Sequence, residues 1–393
     1  MRKLLWLTLA FTVLFLLVLP ASAEETARDL SSVCKIKATD SKTLFRLTDG
    51  KTEKYYEGKK NRENVIEFET PSGEQAAGLY ILWKMNSSPV ALDIWDSHAG
   101  AFVENRFLND GTYLHEYVRL DPCSRFRLRS TDKAGTISLS EITVLSPGTP
   151  PDWVQAWEPC CTKADLLIFV AHPDDEFIFL GGTIPWYAIQ EKKHVCVAYM
   201  TLASATRYHE LLNGLWTAGV REYPYLLRFK DWRYSSVKSV YQHWGETDAL
   251  DAVRRLINDA KPEVIVTQDV NGEYGHNQHK AVCDLMLRIV RDGEVELEWH
   301  PKKLYVHLYE ENKIEMDWNR PMDALDGTTA LAQAETALRC HRSQYGQSIK
   351  TRSGKVFKFV VYDHGMYDNS QFGLAWSSVG PDLTGLDFLE NIP

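Results

Sequence analysis

The chain reads as two folded parts, a small antiparallel β-sandwich followed by a larger α/β unit on a mostly parallel sheet with helices on both faces. Two changes of texture lead to this reading. Up to about residue 146, short runs alternate apolar and polar residues between turn signals, the pattern of half-buried antiparallel strands. After the proline and glycine cluster at Leu145-Ser146-Pro147-Gly148-Thr149-Pro150-Pro151, buried-strand runs alternate with helical stretches, the signature of βαβ units. Length agrees, because 393 residues exceed the ~100–200 of one typical domain.

The N-terminus comes first. Met1-Arg2-Lys3 precedes an apolar run from Leu4 to Leu19, and Pro20-Ala21-Ser22-Ala23 supplies small residues at cleavage positions. Residues 1–23 read as a secretory signal peptide cleaved after Ala23, which places the mature chain in a secreted or extracytoplasmic setting; the rival reading is an uncleaved membrane anchor, for which the apolar run approaches the ~18–20 residues that span a bilayer. No later stretch resembles a membrane span. The formal net charge is −9 and no basic run occurs, which argues against nucleic acid as a partner.

Residues 24–146 carry the sandwich. Strand-like runs fall at Val65–Glu69, Gly78–Trp83, Ala91–Trp95, Glu116–Leu120, Phe126–Arg129 and Ile137–Val144. Trp83 and Trp95 could stack on a sugar if exposed, although an aromatic in an alternating strand belongs more often to the core. Seven cysteines, Cys34, Cys123, Cys160, Cys161, Cys196, Cys283 and Cys340, show no repeated CxxC spacing, so a zinc ribbon is unsupported. Their odd number leaves at least one thiol unpaired within the chain, and Cys34 with Cys123 is a candidate bridge. This part resembles the discoidin, or galactose-binding-like, jelly roll, on the strength of Leu47-Thr48-Asp49-Gly50, Tyr55-Tyr56 and the closing strand Ser140–Val144. The resemblance implies an accessory module of carbohydrate-active enzymes.

Residues 147–163 form the linker and 164–393 the α/β unit. Leu166–Ala171, Val195–Thr201, Glu263–Thr267 and Leu304–Tyr309 read as strands. Thr183–Lys192, 207–219, 246–260 and Lys280–Val290 read as helices. Phe229–Gly245 and Glu310–Asp326 read as long loops lining a pocket, and the segment from Gln344, with Tyr362, Asp363 and Trp376, as a lid, an edge strand or an oligomer contact.

The chemistry sits at strand ends. His172-Pro173-Asp174-Asp175-Glu176 follows the first buried strand, and in open parallel sheets ligands bind beyond the carboxyl ends of the strands. Three carboxylates and an imidazole are costly there without a neutralising partner, which a divalent cation would supply. His172 and Asp175, three apart on a strand-to-helix turn, can reach one ion. A third ligand must come from elsewhere, and Asp269–His279, again after a strand and before a helix, brings His276 and His279 to the same crevice. Taken singly, either loop could instead serve only to cap its helix.

Ala171–Glu176 with Gly181-Gly182-Thr183, then Gly272–His276 with His279, is similar to the LmbE/PIG-L family of zinc-dependent N-deacetylases, over about residues 164–345. The resemblance implies a Rossmann-like fold and removal of an N-acetyl group from N-acetylglucosamine-type glycoconjugates. It also implies Zn2+ held by His172, Asp175 and His279, with Asp174 as general base. By the same resemblance His276 stabilises the oxyanion or protonates the leaving amine, Tyr274 contacts the intermediate, and Arg207, in Arg207-x-x-Glu210, binds substrate or orients the base. An i,i+3 surface pair between Arg207 and Glu210 is the alternative. Two departures stand out. Asn277-Gln278 replaces the family's Pro-Asp, removing a carboxylate that would orient His276, for which Asp269 or Glu273 could substitute; Gln268 and Lys192-Lys193 are also atypical. Two rival functions remain: a carbohydrate-binding protein without turnover, and a hydrolase of another amide or ester.

Overall fold

A computed structural model describes residues 25–131, 136–344, 348–350, 356–358, 369–380 and 386–392; the leader at 1–23 and Tyr362 and Asp363 lie outside the described residues. Nine strands precede the linker: β1 Lys35–Ala38, β2 Tyr56–Glu57, β3 Val65–Glu69, β4 Ala76–Trp83, β5 Val90–Asp96, β6 Ala101–Leu108, β7 His115–Cys123, β8 Arg125–Ser130 and β9 Ser138–Leu145. They form two antiparallel sheets, β1-β3-β8-β5-β6 and β2-β9-β4-β7. Period-two patterning drives the sandwich. In β3 and β8 alternate residues are buried, so Ile66, Phe68, Phe126 and Leu128 meet Leu79, Ile81 and Val118 of the other sheet. The Phe68 and Phe126 rings stack at 4.7 Å.

Trp83 is fully buried in that core rather than presented to a sugar, and its indole donates to the Glu116 carboxylate. All seven cysteines are free, so the Cys34–Cys123 bridge does not form.

The second part contains β10 Leu166–Val170, β11 Val195–Thr201, β12 Tyr225–Phe229, β13 Val264–Thr267, β14 Lys303–His307, β15 Lys313–Glu315, the short hairpin β16 Ser348–Lys350 and β17 Val356–Lys358, and β18 Gln371–Ser377. The large sheet runs β12-β11-β10-β13-β14-β18-β15, parallel from β12 to β14 and antiparallel beyond. Chain order reverses between β10 and β13, which is where a crevice opens in doubly wound sheets. The helices are α1 Asp175–Ile178, α2 Thr183–Pro185, α3 Ala205–Thr217, α4 Val237–Trp244, α5 Glu246–Ala260, α6 Asn277–Met286 and α7 Ala330–Leu338. One face of the sheet packs Leu166, Ile168 and Val170 on Phe177, Leu211 and Leu338; the other packs Leu167 and Phe169 on Val240, Val253 and Leu285. Burial on both faces explains why these strands are uniformly apolar.

Several expectations are corrected. Phe229–Gly245 is not a bare loop: Ser236 caps α4, its hydroxyl accepting from the Ser239 amide. Glu310–Asp326 holds β15. The helix over 183–192 is one α turn followed by a π turn at Trp186–Gln190. Trp376 belongs to β18, which lies inside the sheet between β14 and β15 and not at its edge. No helix of the described residues is long and apolar enough to cross a membrane.

A polar contact sealed from water joins the sandwich to the sheet. His115 Nδ1 donates to Gln155 Oε1 at 2.7 Å, so its Nε2 is a bare acceptor for His209 Nδ1–H of α3 at 2.8 Å. Gln155 donates in turn to Asn213, and the Leu114 amide donates to Tyr223. Both imidazoles are buried, and that burial depresses their pKa, to about 4 for His209. The pair requires neutral rings. A depressed histidine pKa means that stability is complete above the unfolded value of 6.5 and is lost as pH falls from there to the folded value. The stability advantage of wild type over His209→Gln in denaturant unfolding should therefore shrink by about 3 kcal/mol between pH 7 and pH 4.

Candidate active site

Four loops converge beyond the carboxyl ends of the parallel strands: 171–176 after β10, 202–207 after β11, 230–236 after β12 and 268–279 after β13. Their shape is fixed from below. The Ala171 amide donates to Gln268 Oε1 at 2.9 Å and its carbonyl accepts from the Thr201 amide and hydroxyl, each at 2.9 Å. The end of β10 is thus clamped by both neighbours before the chain reaches His172. Gln268, atypical in sequence, is part of that clamp. Downstream, Gly181 turns with φ +54, and a Cβ there would lie 2.7 Å from Trp318. The turn needs glycine both for its backbone and for its neighbour.

His172 Nδ1, Asp175 Oδ2 and His279 Nε2 form a nearly equilateral triangle with sides of 3.1, 3.2 and 3.3 Å. The edge of a tetrahedron with metal–ligand bonds of ~2.0 Å is about 3.3 Å. Protons on the outer nitrogens define what faces inward. His172 Nε2 donates to Gln278 Oε1 at 3.1 Å, and His279 Nδ1 donates to Glu273 Oε2 at 2.7 Å. Each neutral ring therefore turns a bare lone pair into the triangle, beside a carboxylate oxygen. Three electron-rich atoms at van der Waals contact repel one another unless a metal cation or a shared proton lies between them. Nitrogens of His172, His276 and His279 also lie within 4.8 Å of one another, but that wider grouping fits a four-coordinate ion less well than the triangle containing Asp175.

The surrounding charge points the same way. Asp174, Asp175, Glu176, Asp269 and the side chain of Glu273 are buried at the site, with Asp231 3.6 Å from His172 Nε2, and among the described residues Arg207 is the guanidinium that pairs with this group. Asp174 caps α1 in a left-handed conformation, φ 112, a strained geometry that turns its carboxylate toward Arg207 at 3.0 Å. Burial pushes the Asp174 pKa up to about 6 although Arg207 opposes it. Asp175 goes the other way: when no cation lies in the triangle, the charge that His279 and His172 carry on protonation and the hydrogen bonds from His172 outweigh burial and hold it well below the usual carboxylate range. Burial also raises Glu176, to about 8, against a hydrogen bond from Tyr199.

Arg207 and Glu210 do not pair on the surface. Arg207 bonds the Pro173 carbonyl and Asp174, whereas Glu210 accepts from the amide and hydroxyl of Ser343. His276 stands edge-on to His172 with ring centroids 4.8 Å apart, and Tyr274, about half exposed, lies 5.6 Å from both His276 and His279. The expected carboxylate support for His276 is not there: its Nδ1 has no partner, Gln278 faces His172, and the Asn277 amide donates to the Tyr234 carbonyl. Burial, with His172 and His279 adding to it, lowers the His276 pKa to about 3.

Sequence reading missed Gln278 and Asp231. Gln278 could have been found from its position one residue before His279 in the first turn of α6; Asp231 carried no local signal.

Residues 167–290, within the α/β part of the chain, match the family model described as PIG-L: GlcNAc-PI de-N-acetylase. The 1D-myo-inositol 2-acetamido-2-deoxy-alpha-D-glucopyranoside deacetylase of Mycolicibacterium smegmatis is 32% identical over 171 residues, covering 36% of this chain and 59% of that protein. Its counterpart in Rhodococcus opacus is 28% identical over 196 residues, 41% of this chain and 67% of that protein. The chain thus spans about three fifths of the length of the curated relatives it matches first. A conserved protein of Thermus thermophilus aligns with TM-score 0.34 and 20% identity, covering 46% of this chain and 80% of that one. A family 32 carbohydrate-binding module of C. perfringens NanJ aligns with TM-score 0.26 and 12% identity, over 30% and 98%.

Arg207→Met leaves the Asp174 carboxylate buried beside Asp175 and Glu176 without its fixed cation. Metal-free protein should lose about 3 kcal/mol in urea unfolding, and an added divalent metal should recover part of that loss.

Proposed function

We propose that the chain is a zinc-dependent hydrolase that removes the N-acetyl group from an N-acetylated amino sugar or glycoconjugate. The observation that carries the proposal is the triangle of His172 Nδ1, Asp175 Oδ2 and His279 Nε2, whose spacing and donor set suit one four-coordinate ion. These three residues would hold the zinc. Bound there, zinc would lower the pKa of a water toward 7 and polarise the amide carbonyl.

The remaining steps fall to the protein's own side chains. Asp174, outside the triangle and oriented by Arg207, is the general base that accepts the proton of the attacking water. A carboxyl pKa brought up to about 6 suits that work near neutral pH. His276 is neutral, because its pKa lies near 3, so it acts as a hydrogen-bond donor to the developing oxyanion and not as an imidazolium acid. Protonated Asp174 then returns the proton to the leaving amine. Tyr274, half exposed beside His276 and His279, and Arg207, beside Asp174, are the substrate contacts. Carbohydrate as the substrate class is supported by what the matched relatives are named for, N-acetylated glucosaminyl inositols.

Purified protein should contain close to one zinc per chain, and a panel of N-acetylated amino sugars should release free amine that a chelator abolishes. Asp174→Asn should lower kcat by about 10²–10⁴ with the metal retained, and His276→Ala by about 10²–10³. A metal-free protein that binds glycans without releasing amine would replace this reading with that of a binding protein.

A further inference from the structure

We infer that Glu273 is a positioning residue for the metal centre: through Oε2 it fixes the ring and tautomer of His279, while His307 and the Asp269 amide hold its Oε1. The inference rests on the metal reading above and extends it outward by one layer. Glu273 lies six residues before His279 in a loop whose own turn hydrogen bonds run from Gly272 to Asp269 and from His276 to Gly272. Its φ of +53 is unusual for a residue with a side chain, and the strain is of the size that surrounding contacts must compensate. Three hydrogen bonds to its carboxylate do so. Oε1 accepts from the Asp269 amide at 3.0 Å and from His307 Nδ1 at 3.2 Å, and Oε2 accepts from His279 Nδ1 at 2.7 Å.

All three side chains are shut off from solvent, with Glu273, His279 and His307 each at 0% side-chain exposure. His307 ends β14, the strand next to β13, so the carboxylate ties the loop after one strand to the terminus of its neighbour. Its second role is electrostatic. With Nδ1–H committed to an anion, the His279 Nε2 lone pair is both aimed at His172 and Asp175 and made a stronger donor, the effect that outer carboxylates have on metal-bound histidines. The other histidine of the triangle donates at the equivalent place to the neutral Gln278, with the Asp231 carboxylate farther off, 3.6 Å from the same nitrogen. Among the described residues Glu273 is therefore the anion at hydrogen-bond distance from an outer nitrogen of the two triangle imidazoles.

The test measures metal affinity and not turnover. Metal-free wild type and Glu273→Gln, Glu273→Asp and His307→Gln are titrated with Zn2+ against a chromophoric chelator, Co2+ is bound in parallel for its visible spectrum, and metal-free thermal unfolding is recorded. We expect Glu273→Gln to bind Zn2+ about 10–100-fold more weakly with shifted Co2+ bands, Glu273→Asp to recover part of the affinity, and His307→Gln to lose less than Glu273→Gln. Unchanged Zn2+ affinity and an unchanged Co2+ spectrum in folded Glu273→Gln overturn the inference. Should that variant not fold, His307→Gln decides, because affinity equal to wild type overturns the inference and a several-fold loss supports it. Wild type that binds neither ion overturns the metal reading itself, whereas tight wild-type binding with an indifferent Glu273→Gln overturns only the role of Glu273.

Discussion

Three bare donor atoms held within 3.3 Å of one another beyond the two central strands are the constraint around which the α/β part is organised. Such a cluster is unfavourable by itself, and the fold holds it in place from several directions. Two neighbouring strands clamp Ala171, Gln278 and Glu273 fix the imidazole tautomers, and Arg207 stands against a group of carboxylates that would otherwise repel one another. The strained backbone of Asp174 and of Glu273 lies within this same group. Local strain concentrated where the surrounding contacts are strongest is characteristic of a site prepared in advance for its ligand.

The same arrangement separates two adjacent aspartates chemically. Asp175 faces two imidazoles and stays ionised; Asp174 faces one guanidinium from a buried position and has its pKa raised. Neighbours in sequence thereby take opposite titration behaviour, because the turn into α1 points one carboxylate into the triangle and the other away from it. Environment, not residue type, makes one suited to hold a metal and the other to move protons.

The sandwich is more than an appendage in energetic terms. Its core runs continuously into the face of the sheet that packs α1, α3 and α7, and the His115–His209 pair places a sandwich residue against α3, the helix that carries Arg207. Movement of the sandwich relative to α3 would have to break a buried, fully paired polar contact. The orientation of Arg207 and the docking of the sandwich therefore share one helix.

Much of this was legible in the residues alone. The change from period two to βαβ texture at Pro147–Pro151, the helix over 246–260 and the two strand-end clusters each depend on local pattern, which burial on one face or both imposes directly on sequence. The α4 helix and the strand at 371–377 were not legible. Their short, mixed-polarity segments are stabilised by what they pack against, Val240 and Trp244 in one case and the flanking strands β14 and β15 in the other. Residue types and spacing by themselves determined that His172, Asp174, Asp175, His276 and His279 lie at strand ends. Which carboxylate serves which histidine was decided only by tertiary structure, because Glu273, Gln278 and His307 come from different turns and strands, and a hydrogen bond depends on distance and direction that sequence separation does not encode.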